Sequence, residues 1–322
     1  MLRTRLCDVI GIDVPVIQAG MSVYTSPELA AAVSEAGALG SLGVWQRPAE
    51  QLRRDLDELR ERTSRPFALN HVVPDLDEEA FAISLAAQPA VVSFALDDAG
   101  PLVARVHDAG SLAMQQVSTV EHAERAVAAG IDIVVAQGGE AGGFGGGVAT
   151  LALVPQVIDA VGPVPVVAAG GIADGRGLAA ALVLGAVGVN LGSRFLASAE
   201  APVGARWKEA LRSTPAEDWV KLGFVNDIRP NPGSFGYGTT VRGRRNAFTE
   251  RWEARREELR SDPTPAIAEI GEAAAAGTLE ELLIFGGQSA GLIRDAPPVA
   301  EIVRRAIAEA EEALRVAMRV VG

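Results

Sequence analysis

Eight short apolar segments recur along the N-terminal part of the chain, and each is followed by a longer segment with helical periodicity. The apolar segments are 14–19, 39–44, 66–70, 90–95, 112–116, 131–136, 164–169 and 187–191. Their spacing averages roughly twenty-five residues, the length that one strand, its loop and its helix require. Eight such units predict an α/β fold of the (β/α)8 TIM barrel type rather than a doubly wound sheet. The Gly-x-Gly-x-x-Gly fingerprint of dinucleotide-binding sheets does not occur in the sequence.

Helix start and stop signals lie in the intervals between these segments. Ser26 and Pro27 provide a capping side chain and a first-turn proline. Gly37, Gly110 and Gly130 each follow a last apolar turn, where glycine commonly ends a helix. The predicted helices are 27–37, 49–63, 77–87, 99–109, 119–129, 150–161 and 175–184.

The sequence changes character near the end of the eighth unit, and this change divides the chain into three parts. Residues 1–200 are predicted to form the barrel. The segment 201–297 contains a Pro/Gly-rich stretch at 229–238 and an arginine-rich stretch at 244–260 that is predicted to be helical. We expect this segment to be an insertion that forms a lid subdomain over the barrel mouth. Residues 298–322 contain an amphipathic helix that is expected to pack on the outer ring of the barrel.

Charge and cysteine content exclude several classes of partner. The formal net charge is −12, so the field of the protein repels nucleic acids and anionic membrane surfaces. Cys7 is the single cysteine, which excludes an internal disulfide, and with only three histidines a Cys/His metal site is not expected. No apolar run reaches membrane-spanning length, and we expect a cytoplasmic protein. The sequence leaves open whether two copies of the chain form a homodimer through their outer helices.

Glycines end two successive apolar segments where barrel strands would pass into loops. The segment 136–147 contains seven glycines, and Gly170 and Gly171 interrupt the segment 166–176. A third predicted strand ends at Gly192, before Ser193, and we call these three glycine-containing strand ends the glycine exits. Glycine allows the backbone to approach a ligand closely, and the loops after strands 7 and 8 of such barrels commonly bind phosphate at helix N-termini. The sequence therefore predicts a phosphate-bearing cofactor at the mouth.

These segments resemble a known family. The resemblance covers nearly the whole chain and is carried by the runs 18–21, 136–143, 169–176, 184–197 and 285–293. They are similar to the FMN-dependent nitronate monooxygenases, formerly called 2-nitropropane dioxygenases, which are related to the FMN-dependent enoyl-ACP reductases. The resemblance implies FMN at the barrel mouth and a small-molecule substrate. The implied FMN-binding residues are Gly20, Met21, Asn70 and Gln116 at the flavin ring, Gln137, Gly142 and Gly143 at the ring and ribityl chain, Gly170, Gly171, Gly192 and Ser193 at the phosphate, and Gln288 in the C-terminal motif.

The chain departs from the family pattern at one position in the substrate pocket. In related enzymes the run Glu-Ala-Gly-Gly is followed by a histidine that handles a proton near the substrate, whereas this chain has Phe144. Phenylalanine neither accepts nor donates a proton. His71 and Tyr24, which follow two predicted strand exits, are the candidate catalytic replacements. His107 and His122 fall within predicted helices and are interpreted as surface positions.

Three functions remain open at this point. The first is oxidation of alkyl nitronates with O2 as co-substrate, which yields a carbonyl compound and nitrite, and preformed nitronates need no base. The second is reduction of an activated C=C bond by NAD(P)H, as the resemblance to enoyl reductases implies. The third is an FMN-binding protein without turnover, which the absence of the histidine suggests.

Overall fold

Eight parallel strands form the predicted barrel in the computed structural model, which describes residues 2–228 and 238–321. Three further short strands lie outside the barrel. In chain order the strands are β1 Val16–Gln18, β2 Gly40–Gly43, β3 Phe67–Val72, β4 Val91–Ala95, β5 Leu112–Val117, β6 Ile133–Gln137, β7 Gly143–Gly145, β8 Val166–Ala169, β9 Gly188–Leu191, β10 Trp219–Lys221 and β11 Thr240–Arg244.

The barrel is closed by contact between its first and second strands along the chain. Parallel pairing runs in the order β1-β9-β8-β6-β5-β4-β3-β2, and a parallel bridge between Ile17 and Leu39 joins the two ends of this order. Every residue of β4, β6 and β8 is buried. Strands covered on both faces read as continuous apolar runs, which explains why the sequence pattern locates them. The predicted (β/α)8 fold is thereby confirmed.

The helices cover the outside of the barrel and continue into the C-terminal part of the chain. They are α1 Arg5–Ile10, α2 Pro27–Glu35, α3 Ala49–Arg62, α4 Glu78–Ala86, α5 Leu102–Asp108, α6 Val120–Ala128, α7 Thr150–Val161, α8 Gly175–Val183, α9 Ser193–Leu196, α10 Ala205–Ser213, α11 Gly223–Asp227, α12 Ala247–Ala254, α13 Arg256–Ser261, α14 Thr264–Ala275, α15 Leu279–Leu282 and α16 Val299–Val321. Short 3-10 turns occupy Ser22–Tyr24, Val73–Asp75, Ala216–Asp218 and Gln288–Leu292.

The C-terminal helix packs on the barrel as the sequence predicts. Helix α16 contacts α8 and α2. At Gly175, the first residue of α8, a Cβ atom would lie only 2.4 Å from the carbonyl oxygen of Ala306, so this close helix contact requires glycine. The carboxylate of Glu309 accepts a hydrogen bond of 3.0 Å from the Gly175 N–H. This interaction satisfies a donor at the start of α8.

A three-stranded antiparallel sheet lies over the barrel mouth, and we call it the lid sheet. Its order is β10-β11-β7, so it joins a segment from the predicted barrel region to two strands of the predicted insertion. The predicted helix at 244–260 is wrong at its start, because Arg244 ends strand β11 and the helices α12 and α13 follow it. Cross-strand pairing of Arg244 with Trp219 on β10 places the start of this stretch in a sheet, a contact between separate segments that local periodicity does not report.

Most of the Pro/Gly-rich stretch, 229–237, lies outside the described residues. Across 2–228 and 238–321, no helix combines the length and apolar character that a membrane span needs.

Candidate active site

A cavity of about 370 Å³ lies at the C-terminal ends of the barrel strands, beneath the lid sheet. This size falls within the range of small-molecule and cofactor sites. Most of the residues that the sequence singles out contribute to its lining. They are Gly20, Met21, Tyr24, Asn70, Gln116, Gln137, Gly142, Gly143, Phe144, Gly170, Gly192 and Ser193.

Two predicted cofactor residues lie near the cavity without lining it. Gln288 begins the 3-10 turn after α15, and its N–H donates to the carbonyl of Glu140 at 2.9 Å. Gly171 has a φ of +72°, and a Cβ atom there would contact the Glu140 side chain. The following residue of the C-terminal motif, Ser289, reaches the cavity instead of Gln288.

The structure does not bring His71 to the barrel mouth. Successive strand residues point to opposite sides, and because Asn70 points into the cavity, His71 points outward against α4. Its side chain is only 3% exposed, with Nε2 at 3.0 Å from Ser84 Oγ and the ring edge-on to Phe81. Burial lowers the pKa of His71 to about 4. The expectation that His71 faces the mouth is therefore corrected, and it is no longer a candidate for proton transfer there.

The interpretation of His122 as a surface residue is also wrong. His122 is 2% exposed, and its Nε2 lies 2.6 Å from the side-chain nitrogen of Gln115 on β5. Burial is the main cause that lowers its pKa to about 4. His107 does lie at the surface, where it contacts Asp132 at 2.8 Å.

Tyr24 lines the cavity and is the candidate that the structure retains. Its ring packs against Trp207 with centroids 4.7 Å apart. Burial, followed by the negative charge of Glu280, raises the pKa of the phenol. The hydroxyl is therefore protonated at neutral pH, which makes it a hydrogen-bond donor and a proton donor but not a base.

Side-chain amides from four barrel strands provide the polar wall of the cavity. Gln116 on β5 donates to Gln137 Oε1 on β6 at 3.0 Å, and Asn70 on β3 donates to Ser93 Oγ at 2.9 Å. Asn190 on β9 also lines the cavity, and its Oδ1 is buried without a hydrogen-bond partner among the described residues. A buried, unsatisfied carbonyl oxygen costs free energy unless a ligand donates to it. Sequence analysis missed Asn190, although it is the one polar side chain in an apolar strand.

The glycine exits fit the phosphate end of a cofactor. Gly170 has a φ of +93°, a left-handed conformation that favours glycine, and a Cβ atom there would lie 2.9 Å from the Gly138 carbonyl oxygen. The N–H groups of Ser193 and Arg194 begin α9 and form no backbone hydrogen bond within the described residues. Arg194 itself does not serve an anion here, because its guanidinium binds Asp295 at 3.1 Å. Together with the side-chain amides and the Asn190 oxygen, which has no partner in the described part of the chain, these strand ends fit the FMN that the resemblance implies.

Glu140 shapes the loop after β6 instead of taking part in proton transfer. Its carboxylate accepts hydrogen bonds of 2.9 Å from both the N–H and the hydroxyl of Thr150, at the start of α7. A carboxylate at a helix N-terminus is favoured by the helix dipole. This contact ties the loop to α7 and holds the glycines at 142 and 143 over the cavity.

Phe144 closes one side of the cavity with apolar surface. It packs with Trp45 against a cluster of three buried residues at the ends of β3 and β4, Val72, Ala95 and Leu96. Within the described residues, the lining contains no Asp, Glu, His, Lys or Arg, and Tyr24 is its one titratable side chain.

Backbone strain is concentrated at the rim of the cavity. Among the described residues, four that are not glycine have positive φ, and three of them, Ser22, Gln46 and Leu96, line the cavity. Such conformations are costly and cluster at ligand-binding sites.

Two cationic side chains of the lid sheet, Lys221 on β10 and Arg242 on β11, bind the loop that follows β6. Lys221 Nζ donates to the carbonyls of Gly145 at 2.8 Å and Thr240 at 2.9 Å, and Arg242 donates to Gly139 at 2.6 Å. Burial, with the neighbouring charge of Arg242, lowers the pKa of Lys221 to about 8. No local sequence signal marks this lysine, because its partners Gly145 and Thr240 belong to other strands, 76 and 19 residues away in the chain.

Comparison with known proteins agrees with this geometry. The family profile described as nitronate monooxygenase matches residues 3–82 and 77–309. The chain belongs to the nitronate monooxygenase family. The matched residues include both the barrel and the lid sheet.

Individual relatives of this nitronate monooxygenase family member differ in their described activities. A probable nitronate monooxygenase of Staphylococcus saprophyticus is 30% identical over 91% of this chain and 94% of its own length. The (3aS,4S,5R,7aS)-5-hydroxy-7a-methyl-1-oxo-octahydro-1H-indene-4-carboxyl-CoA dehydrogenase of Rhodococcus jostii is 40% identical over 63% of this chain. That match covers 57% of the dehydrogenase, less than two thirds of its length. The structure of FabK from Thermotoga maritima superposes with a TM-score of 0.88 at 32% identity, covering 99% of this chain and 100% of FabK.

Proposed function

We propose that the protein is an FMN-dependent oxidoreductase that oxidises preformed alkyl nitronates with O2 to a carbonyl compound and nitrite. Family membership supports the oxidoreductase class, and the full-length similarity to a probable nitronate monooxygenase supports the substrate class. Residues 1–200 would hold FMN, 201–297 would form the lid, and 298–322 would support the barrel from outside.

The observation that carries this proposal is that the cavity lining, as far as the described residues form it, contains no base. Phe144 stands where the family resemblance places a histidine, and Tyr24 is a proton donor only. A neutral nitroalkane must lose a proton from carbon before it is oxidised, whereas a nitronate has already lost it. The cavity therefore suits a substrate that arrives deprotonated.

The residues of this chain would bind and orient both FMN and the nitronate substrate. The amides of Gln116 and Gln137 and the Asn190 oxygen line the cavity and would hold the flavin ring, and the strand ends at Gly170 and Ser193 would hold the phosphate. When bound, FMN supplies the capacity to take two electrons from the substrate and pass them to O2. Lys221 and Arg242 place positive charge beside the cavity, which favours an anionic substrate in a region whose lining is uncharged.

A second candidate function is supported by Tyr24. Reduction of an activated C=C bond with NAD(P)H needs a proton donor for the second carbon, and a buried phenol with a raised pKa meets that need. The similarity to FabK supports the same reaction class. This reaction would use NAD(P)H in place of O2 as the partner of FMN.

The test is an anaerobic titration of the purified protein followed by its visible spectrum. Bleaching of a bound flavin by propyl nitronate without NADPH supports nitronate oxidation. Bleaching by NADPH without nitronate transfers the assignment to C=C reduction. A flavin spectrum that neither reagent changes would identify an FMN-binding protein without this turnover, and a protein that binds no flavin would contradict the cofactor assignment.

A further inference from the structure

The buried cluster of Val72, Ala95 and Leu96 lies across the barrel mouth from the proposed phosphate end. In the closed ring of strands, β8 and β9 are neighbours, and so are β3 and β4. Two strands separate these pairs on either side, β6 and β5 on one and β1 and β2 on the other. Gly170 and Gly192 follow the first pair, and the cluster lies at the ends of the second. A cofactor whose phosphate lies at these glycines has that end on the opposite side of the mouth from the cluster.

The lid extends this cluster into a larger apolar surface. Phe144 packs against the cluster and also against a second cluster that contains Val241, its partner across the lid sheet. Val225 on α11 packs against the same second cluster. The side chains that line the cavity from these elements are Val72, Ala95, Leu96, Phe144, Val225 and Val241, and we call them the apolar wall.

Leu96 is held in the apolar wall at a conformational cost. Its φ is +79°, in the left-handed region that residues with a side chain rarely adopt and that glycine adopts readily. The leucine side chain is nevertheless present, is only 5% exposed and lines the cavity. Strained residues cluster at ligand-binding sites, so the strain at Leu96 favours a role for its isobutyl group in contacting a ligand.

The residues around the apolar wall offer no counter-ion for a second charge on the ligand. As far as the described residues form it, the cavity lining contains no Asp, Glu, His, Lys or Arg. The polar lining residues from the neighbouring strand ends are Ser22, Gln46 and Asn70. Ser22 Oγ donates to the Trp45 carbonyl at 2.7 Å, Asn70 donates to Ser93, and Gln46 is exposed at the rim. A charged group placed against the wall would lose its hydration without gaining an ionic partner from these residues.

We propose that the nitronate carbon of the substrate carries a neutral hydrocarbon chain or ring of several carbons, which packs against the apolar wall, and that nitronates with a charged substituent are excluded. This proposal rests on the proposed function, which supplies the reacting nitronate group, and adds the chemistry of the part that does not react. Leu96, Val225 and Val241 are then specificity residues for this part and take no part in the chemical step.

Binding of unreactive acids tests the apolar wall without turnover. A carboxylate shares the planar, two-oxygen anion of a nitronate but is not oxidised, so we would titrate butanoate, pentanoate, hexanoate and hexanedioate into the flavin-loaded protein by calorimetry. Each additional methylene that the wall buries should tighten binding about threefold to fourfold. Hexanedioate should bind at least about tenfold more weakly than hexanoate, because its second carboxylate loses water at the wall.

Two variants of similar size connect the chain-length dependence to the apolar wall. Leu96→Asn suits the positive φ, which asparagine adopts more readily than leucine, and Val241→Thr keeps the β-branched shape on β11. Each introduces a polar group and should reduce the gain in affinity from butanoate to hexanoate by about threefold or more. Val220→Thr, the same replacement on β10 at a position that does not line the cavity, is the matched control and should change none of the four affinities.

Four outcomes would overturn the inference. These are equal affinities for butanoate and hexanoate, equal affinities for hexanoate and hexanedioate, a chain-length dependence that both variants retain, and no binding of any of the four acids. If Leu96→Asn does not fold, Val241→Thr decides alone.

Propyl nitronate, added without oxygen to the same preparation, separates this inference from the proposed function. Bleaching of the flavin together with equal affinities for the acids refutes the apolar wall and supports nitronate oxidation. Chain-length dependence without bleaching contradicts nitronate oxidation and supports the wall as a surface that binds hydrocarbon.

Discussion

Phe144 lies directly opposite Val241 in the antiparallel lid sheet, and both side chains line the cavity. Opposed residues in such a pair point to the same face of the sheet. The lid therefore presents an apolar surface to the barrel mouth, and position 144 belongs to that surface. Replacing Phe144 changes the chemistry of the cavity and the packing of the lid together.

Phe144→His should supply the missing base and make neutral nitroalkanes substrates. General base catalysis contributes about 10²-fold or more, so we expect kcat/KM for nitroethane to rise by at least about tenfold while that for ethyl nitronate changes less. Phe144→Leu, which keeps the position apolar, is the control and should not gain activity toward nitroethane. Both values are measured by anaerobic flavin reduction. A wild-type protein that oxidises nitroethane as fast as its nitronate would contradict the prediction.

Asn190→Leu should stabilise the protein without flavin and weaken FMN binding. The replacement removes the buried oxygen that lacks a partner in the described structure, which should raise the free energy of unfolding of the apoprotein by about 1 kcal/mol. In this variant FMN can no longer donate a hydrogen bond to the Asn190 oxygen, so the Kd for FMN should increase about tenfold. Urea denaturation and fluorescence titration measure the two effects.

Ser198→Ala is the matched control for the Asn190 variant. Ser198 Oγ is also buried with no hydrogen-bond partner in residues 2–228 and 238–321, but Ser198 does not line the cavity. Its replacement should stabilise the apoprotein and leave the Kd for FMN unchanged. If Asn190→Leu behaves as Ser198→Ala does, Asn190 does not contact the flavin.

Gly170→Ala should destabilise the fold and prevent cofactor binding. The alanine would have to adopt a φ of +93°, and its Cβ atom would lie 2.9 Å from the Gly138 carbonyl oxygen. Together these two effects should lower the free energy of unfolding by about 1–3 kcal/mol. Gly147→Ala is the control, because a Cβ atom there has nothing within 4 Å. Thermal unfolding and retention of flavin on gel filtration measure the outcome. Equal melting temperatures for the two variants would refute the close approach at Gly170.

Lys221→Met should reduce the increase in unfolding free energy that the protein shows as the pH becomes alkaline. The pKa of Lys221 is lowered from 10.5 to about 8 in the folded protein, so between these values the unfolded chain binds the proton and the native protein does not. The free energy of unfolding contributed by this group therefore rises as pH increases from 8 to 10.5. The neutral amine still has two N–H donors for Gly145 and Thr240.

The measurement for Lys221 is a comparison of urea denaturation at pH 7 and pH 10. The difference in unfolding free energy between wild type and Lys221→Met should shift in favour of the wild type at the higher pH, since other titrating groups cancel in the comparison. An unchanged difference would mean that the lysine is not desolvated in the folded protein.

The orientation of His71 could have been predicted from sequence. In a strand, alternate residues face opposite sides, so assigning Asn70 to the cavity already directs His71 outward. Its ring then packs on α4 next to Phe81, and burial lowers its pKa. Position at the end of a strand was the wrong criterion, and side-chain alternation was the right one.

The lid sheet could not have been predicted in the same way. Strand β7 consists of Gly143, Phe144 and Gly145, and glycine has little intrinsic preference for strands. Its neighbour β11 begins at Thr240, nearly a hundred residues later in the chain. Nothing in the local pattern indicates that the two segments pair.

The sequence by itself determined the barrel, the end at which its cavity lies and the glycines at the strand ends, because these depend on local periodicity and on conformations that only glycine adopts readily. The tertiary structure alone decided which polar groups meet. The pairing of Phe144 with Val241 and the contact of Lys221 with Gly145 join segments that are distant in the chain, and the Asn190 oxygen, which has no partner among the described residues, faces a cavity that several such segments form. Such contacts exist only where the tertiary fold brings distant segments together, and burial then sets their strength and protonation.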